Sequence, residues 1–211
     1  MSDWTEITDA AALVEVLGEP NERARAKERT ALTGIDRAWL AASPFCLLST
    51  AAADGTCDVS PKGDPAGGLV HVLDETTIAI AERPGNRRAD GYRNILTNPH
   101  VGLIFLIPGR GDTLRVNGRA RLASDAPFFD ELVVKGHRPQ LAVVVEIEQV
   151  FFHCSKAFLR SRLWEPEAWD PDGGVPRRAV IAAELEPSGR TVAELDEYYG
   201  PGYAEGLYAQ C

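Results

Sequence analysis

Cysteine is scarce in this 211-residue chain, and its four copies, Cys46, Cys57, Cys154 and Cys211, lie scattered. With no C-x-x-C pair and no dense spacing, a disulfide scaffold is excluded, and reduced thiols in a cytoplasmic protein are expected. His153 beside Cys154 hints at a metal pair, but neighbours on a strand face opposite ways and no second pair has ligand spacing, so no metal is expected. Long apolar runs are missing too; none nears the roughly 18 residues that cross a bilayer. The opening "MSDWTEITDAAALVEVLG" carries acids where a signal peptide has a basic region, so neither membrane nor export is expected. Positive charge is in deficit, 22 Lys and Arg against 31 Asp and Glu, which argues against nonspecific nucleic-acid binding. No G-x-G-x-x-G follows a strand and no G-x-x-x-x-G-K-[ST] occurs, which disfavours Rossmann and P-loop domains. The acidic box of a metal-dependent phosphohydrolase is also missing.

What is present suits one globular domain with additions at its ends: 45% hydrophobic and 25% charged residues are enough for a sizeable core. Residues 1–43 read as a helical extension. "ITDAAALVEVLG" sets Leu13, Val16 and Leu17 on one stripe, "NERARAKERT" is charged nearly all round, and "GIDRAWLAAS" ends before Pro44. From Pro44 the period changes. "FCLLSTAA", "TCDVS", "GGLVHVLD", "TTIAIAE", "VGLIFLI", "TLRVNGRARLA" and "QLAVVVEIEQVFFHC" read as strands, with turns such as "ADG" and "PGRGD" between them. "RRADGYRNILTN" reads as a helix over 87–98, stopped by Pro99. "SKAFLRSRLW" reads as a helix entered at Ser155. Six or more strands with few helices and no β-α-β alternation predict a mainly β, antiparallel barrel over 44–166. The segment 167–211 forms an acidic C-terminal extension; "WEPEAWDPDGGVPRR" reads as a long loop, and an acidic tail wrapped over the barrel is expected.

Within this acidic chain, "ERPGNRRADGYR" gathers Arg83, Arg87, Arg88 and Arg93 where a strand gives way to a helix. Gly85 allows a sharp turn, Asn86 reads as the N-cap, and Arg87 and Arg88 read as the first helical residues. Free amides at a helix start and guanidinium forks both suit phosphate. The alternative is that these arginines pair with Asp90 and other surface acids. A local basic site of this kind suits a small anion better than a polyanion.

Three further places stand out. In "DVSPKGDP", Ser60 offers a hydroxyl and Lys62 sits between proline and glycine, read as a loop, either at the site or simply solvated. On "TLRVNGRAR", Thr113, Arg115 and Asn117 form a polar row with steps of about 6–7 Å, suited to an elongated ligand or to water. In "HCSKAFLRSRLW", Lys156 and Arg160 share a helical face, and Trp164 packs on a ligand, a partner subunit or the core.

In order and spacing, "DVSPKGDP", "RPGNRRADGYRNILTNPHVGLIFLIPG" and "TLRVNGRARL" resemble the pyridoxamine 5′-phosphate oxidase-like flavoproteins, the FMN-binding split barrels. The likeness runs from about Pro44 to Pro166. It implies a six-stranded antiparallel Greek-key barrel that forms a homodimer with FMN at the subunit interface, and a redox reaction on a small molecule. The strand that lines the flavin matches Val59, Ser60, Pro61 and Lys62. The phosphate-holding basic pair matches Arg87 and Arg88 after Asn86, with Arg83 as a helper. Thr113 falls where a polar residue reaches the ring, and Arg115 and Lys156 complete the implied cofactor contacts. The "RLHDR"-type segment that recognises pyridoxal phosphate is replaced here by "LRSRLWEP", so oxidation of pyridoxamine phosphate itself is not implied. Other readings of the same barrel are a flavin-binding or sensing protein without turnover, or a barrel holding deazaflavin or heme.

Overall fold

The computed structural model describes residues 4–170 and 173–208. Three short helices lead into the sheet: α1 (Ala10–Leu17), α2 (Glu22–Ala26) and α3 (Gly34–Ala42). Asp9 and Asn21 cap the first two, each side chain accepting a backbone N–H at 2.9 Å, which satisfies a donor the helix start leaves over. Helix α1 nevertheless buries none of its residues, so its Leu13–Val16–Leu17 stripe enters no core among the described residues.

Helix α3 belongs to the barrel. Arg29 and Val150 exchange two backbone hydrogen bonds, and the Leu32 N–H reaches the Glu75 carbonyl. Thr33 and Asp36 form a reciprocal capping box, and Trp39 and Leu40 enter the main core. The fully buried Asp36 carboxylate accepts from two Arg29 nitrogens and from the Thr33 N–H and hydroxyl.

The sheet comprises β1 (Phe45–Ala51), β2 (Cys57–Gly63), β3 (Val70–Val72), β4 (Thr77–Ala81), β5 (His100–Leu106), β6 (Thr113–Ala123) and β7 (Ala142–His153). All neighbours are antiparallel, in the order β2-β1-β5-β6-β7-β4-β3. The resemblance implies six strands; with the three-residue β3 the sheet has seven. Two hairpins, β1–β2 and β3–β4, thus flank a meander of β5, β6 and β7. Proline is tolerated in β2 because this is an edge strand, where a missing N–H breaks no second ladder.

Alternation along β6 turns Leu114, Val116 and Ala120 into the core, as the period of two requires. At Asn117/Gly118 the β6–β7 register shifts by one residue, leaving Glu148 without a partner on β6. A side chain at Gly118 would begin 2.0 Å from the Glu146 carbonyl oxygen, so the bulge admits glycine alone. One cluster containing Leu48, Ile78, Ile80, Leu103, Phe105, Leu114, Val116 and Val143 fills the interior; each such side chain contributes about 1.5–3 kcal/mol on leaving water.

The two edge strands, β2 and β3, share no backbone ladder. Side chains instead tie β2 and the residue after it to the chain leaving β4: Lys62 to Glu82 and Asp64 to Arg83, each pair at 2.7 Å. Helix α4 (Asp90–Thr97) lies between β4 and β5 in sequence, and α5 (Lys156–Ser161) follows β7. The acidic end is more ordered than a loop: α6 (Arg178–Leu185), α7 (Val192–Tyr198) and α8 (Pro201–Glu205). Helices α6 and α7 pack through Ala179, Ala182 and Leu195, a small core of their own.

Candidate functional site

Helix α4 begins later than its apolar pattern predicts. Its first residue is Asp90, and Ala89 stands at the cap position with φ +55°. Arg87, at φ +58°, is also left-handed, a conformation that costs a residue with a Cβ about 1–2 kcal/mol. Arg87 and Arg88 are therefore loop residues. Asn86 is not the helix cap; its side-chain oxygen accepts from the Arg88 N–H at 3.1 Å, inside the loop. No side chain caps α4; the Tyr92 N–H already donates to the Ala89 carbonyl at 3.1 Å, so the amides ahead of it are those left for a ligand or water. Chain of alternating hand is also the kind that makes successive amides converge on an anion.

Packing of α4 on the sheet holds this loop beside β2. The buried Asn94 amide donates to Asp58 at 2.7 Å and to Thr50 at 3.1 Å. Asp58, Ser60 and Lys62 share one face of β2, while Val59 and Pro61 occupy the more exposed face. Lys62 is a strand residue, contrary to the loop expected from its Pro and Gly neighbours. Its ammonium donates to Glu82 at 2.7 Å and to the Tyr92 hydroxyl at 2.5 Å, and that hydroxyl donates to the same Glu82 oxygen. Two of the three ammonium donors are thus engaged within the protein.

A cleft of about 460 Å³ lies between these parts, lined by residues 58–62 of β2, Glu82, and residues 85–92. It brings together seven residues expected at the site: Val59, Ser60, Pro61, Lys62, Asn86, Arg87 and Arg88. Arg88 is exposed and donates to Asp90 at 2.7 Å; that hydrogen bond, with the nearby carboxylate charge, raises its pKa. Arg93 donates to the Arg88 carbonyl at 2.7 Å, bracing the loop from the helix side. Burial pushes the thiol of Cys46, the β1 neighbour of Lys62, up to about 12, so it is no nucleophile.

Four expected residues lie elsewhere in the chain. Arg83 is committed to the protein: it donates to Asp64 at 2.7 Å and to the Leu132 carbonyl at 2.8 Å. Thr113 is buried at the start of β6. Arg115 donates to Asn117 at 3.1 Å and lies over the Phe151 ring. Lys156 opens α5 at the surface. None of Thr113, Arg115 and Lys156 lines the cleft. Trp164 stacks on Phe158 and donates to the Arg110 carbonyl, half-buried at the surface.

Sequence reasoning missed Asp58, Glu82, Tyr92 and Asn94. The available signal was helical spacing: Asp90 and Asn94 fall on one face of α4, so a polar contact to the sheet was legible there.

These residues fit an anionic, flat cofactor in their donor chemistry: two guanidinium groups and uncapped amides for a phosphate, and a hydroxyl and an ammonium along the adjoining strand. The family described as pyridoxamine 5′-phosphate oxidase matches residues 33–154. No curated protein matches the chain. Among solved structures, a putative pyridoxamine 5′-phosphate oxidase from Lactobacillus delbrueckii is similar at 26% identity, covering 58% of this chain and 95% of that one, with a TM-score of 0.45. An FMN-binding protein from Syntrophomonas wolfei is similar at 14% identity, 57% and 89% coverage and a TM-score of 0.42. An F420 reductase is similar at 20% identity, 54% and 93% coverage and a TM-score of 0.37.

Proposed function

Because the chain belongs to the pyridoxamine 5′-phosphate oxidase family, we propose that its cleft binds FMN and that the protein is a homodimeric, FMN-dependent oxidoreductase acting on a small organic molecule. One observation carries this reading: β2 and the Arg87–Arg88 loop, far apart in sequence, line a single cleft beside an uncapped helix start. Arg87, Arg88 and the loop amides would hold the phosphate; Ser60 and Lys62 would hold the adjoining part of the cofactor. FMN, when bound, supplies the two-electron chemistry that no side chain here offers. The protein's part is to bind, orient and exclude water, with the Lys62 ammonium held in place by Glu82 and Tyr92.

The homodimer is supported by the outer face of the sheet. Phe45, Val59 and Ile104 are large apolar side chains left exposed on neighbouring strands β1, β2 and β5, a pattern that marks an association surface. Arg115 is the β6 partner of Ile104, on the same face. A second copy seated there would bring its own Arg115 toward the exposed side of β2.

Absorption spectroscopy of the purified protein, followed by titration with FMN and with riboflavin, tests this reading. Flavin bands at one per chain with strong preference for FMN are expected. A Soret band, a deazaflavin spectrum or equal affinity for both flavins would overturn it.

A further inference from the structure

The C-terminal chain returns to the loop that carries Arg87. Pro84 and Arg87 on one side and Tyr198, Tyr203 and Leu207 on the other bound a hollow of about 680 Å³. Behind it, a smaller cavity of about 310 Å³ lies between the loop, Tyr92, His137 and Tyr208. It shares Glu82, Arg87 and Tyr92 with the cofactor cleft.

Tyr208 lines this cavity. Its hydroxyl donates to Asp64 Oδ1 at 2.8 Å, and its ring stacks on His137 with centroids 5.8 Å apart. The Arg83 guanidinium and the Lys135 ammonium lie 5.8 and 5.4 Å from the ring centroid. Asp64, buried at the end of β2, uses its other oxygen to accept from Arg83 Nε at 2.7 Å. Arg83 is the residue from which the Pro84–Gly85–Asn86 turn springs. One carboxylate therefore holds both the root of the anion loop and Tyr208 of the C-terminal segment. Burial, then the hydrogen bond to Asp64, raise the pKa of the Tyr208 phenol, so it remains a donor. The segment ahead of it is lightly held, since α8 buries none of its residues, and lightly held segments open locally at small cost.

We propose that Tyr208 and Asp64 are positioning residues for the anion loop: the Tyr208–Asp64–Arg83 contact latches the C-terminal segment over residues 84–89 and gates passage into and out of the cleft. The gate rests on the cleft being the cofactor site proposed above; the latch itself does not.

Tyr208→Phe in the full-length protein keeps the ring on His137 and removes the hydroxyl alone. Hydrogen–deuterium exchange of the ligand-free protein should quicken in residues 198–207 and in 84–89, with the barrel strands unchanged. Quickening in the tail alone, or nowhere, overturns the latch. FMN association and dissociation should both speed up severalfold in the variant, with a smaller change in Kd, because a gate alters both rates while a simple brace alters dissociation alone. Unchanged rates, or faster dissociation by itself, overturn the gate. If the wild-type protein binds no FMN, the functional reading fails and the gate with it, while exchange still decides the latch.

Discussion

The charge of Arg88 is already partly answered, since Asp90 accepts from it at 2.7 Å, and the side chain is 76% exposed. In the proposed site a phosphate must compete with that carboxylate, so Arg88 would contribute less than a guanidinium fixed in a dry pocket. Replacing Arg87 and Arg88 together by alanine should cost about 2–4 kcal/mol of FMN affinity, while riboflavin binding moves little. Calorimetric titration with both flavins checks this, and equal losses would point to a damaged fold. Asp36 carries a second expectation. Burial pushes its carboxyl up, but hydrogen bonds from Arg29 and Thr33 outweigh this and leave the pKa below its usual value. Its contribution to stability is thus complete above about pH 4 and fades as pH falls through the folded value. Asp36→Asn should lose about 2–4 kcal/mol at neutral pH, and the gap from wild type should shrink in acid. Urea midpoints measured across that range would test it; a gap independent of pH would refute the assignment. Arg87 and Arg88 could be picked out from sequence because charge and turn residues sit side by side. Glu82 and Tyr92 could not, because their roles arise only where α4 crosses β2.

Among the elements, the strands were the most legible, because burial on one face writes a period of two directly into β6, and β5 reads as an unbroken apolar run. The helix boundary at 87–90 was not, since the pattern of apolar residues carries no mark of left-handed backbone at Arg87 or Ala89. Helices α6 to α8 were also missed. Their contacts rest on alanines and tyrosines, as in Ala179, Ala182 and the ring cluster of Tyr198, Tyr199 and Tyr203, which leave a weak apolar stripe. At the β6–β7 bulge, Gly118→Ala would drive a methyl into the Glu146 carbonyl. A loss of about 3 kcal/mol or more is expected, read as a lower denaturant midpoint. A variant as stable as wild type would mean the bulge relaxes freely.

For the whole molecule, the proposed homodimer rests on the outer sheet face. Ile104→Glu places a charge at its centre, and twofold symmetry repeats the cost in both copies. Native mass spectrometry and light scattering should show the dimer weakened by about 3 kcal/mol or more, with thermal stability of the single chain little changed. A wild-type protein that is monomeric at working concentrations would refute the homodimer. The junction between β2 and the chain beyond β4 has a broader consequence. Because side chains make it, as in the Lys62–Glu82 and Asp64–Arg83 pairs, its residues can be exchanged without altering the backbone ladders of the sheet. Such a molecule separates its architecture from its chemistry: mutation can rewrite what the opening accepts while the rest of the barrel folds as before.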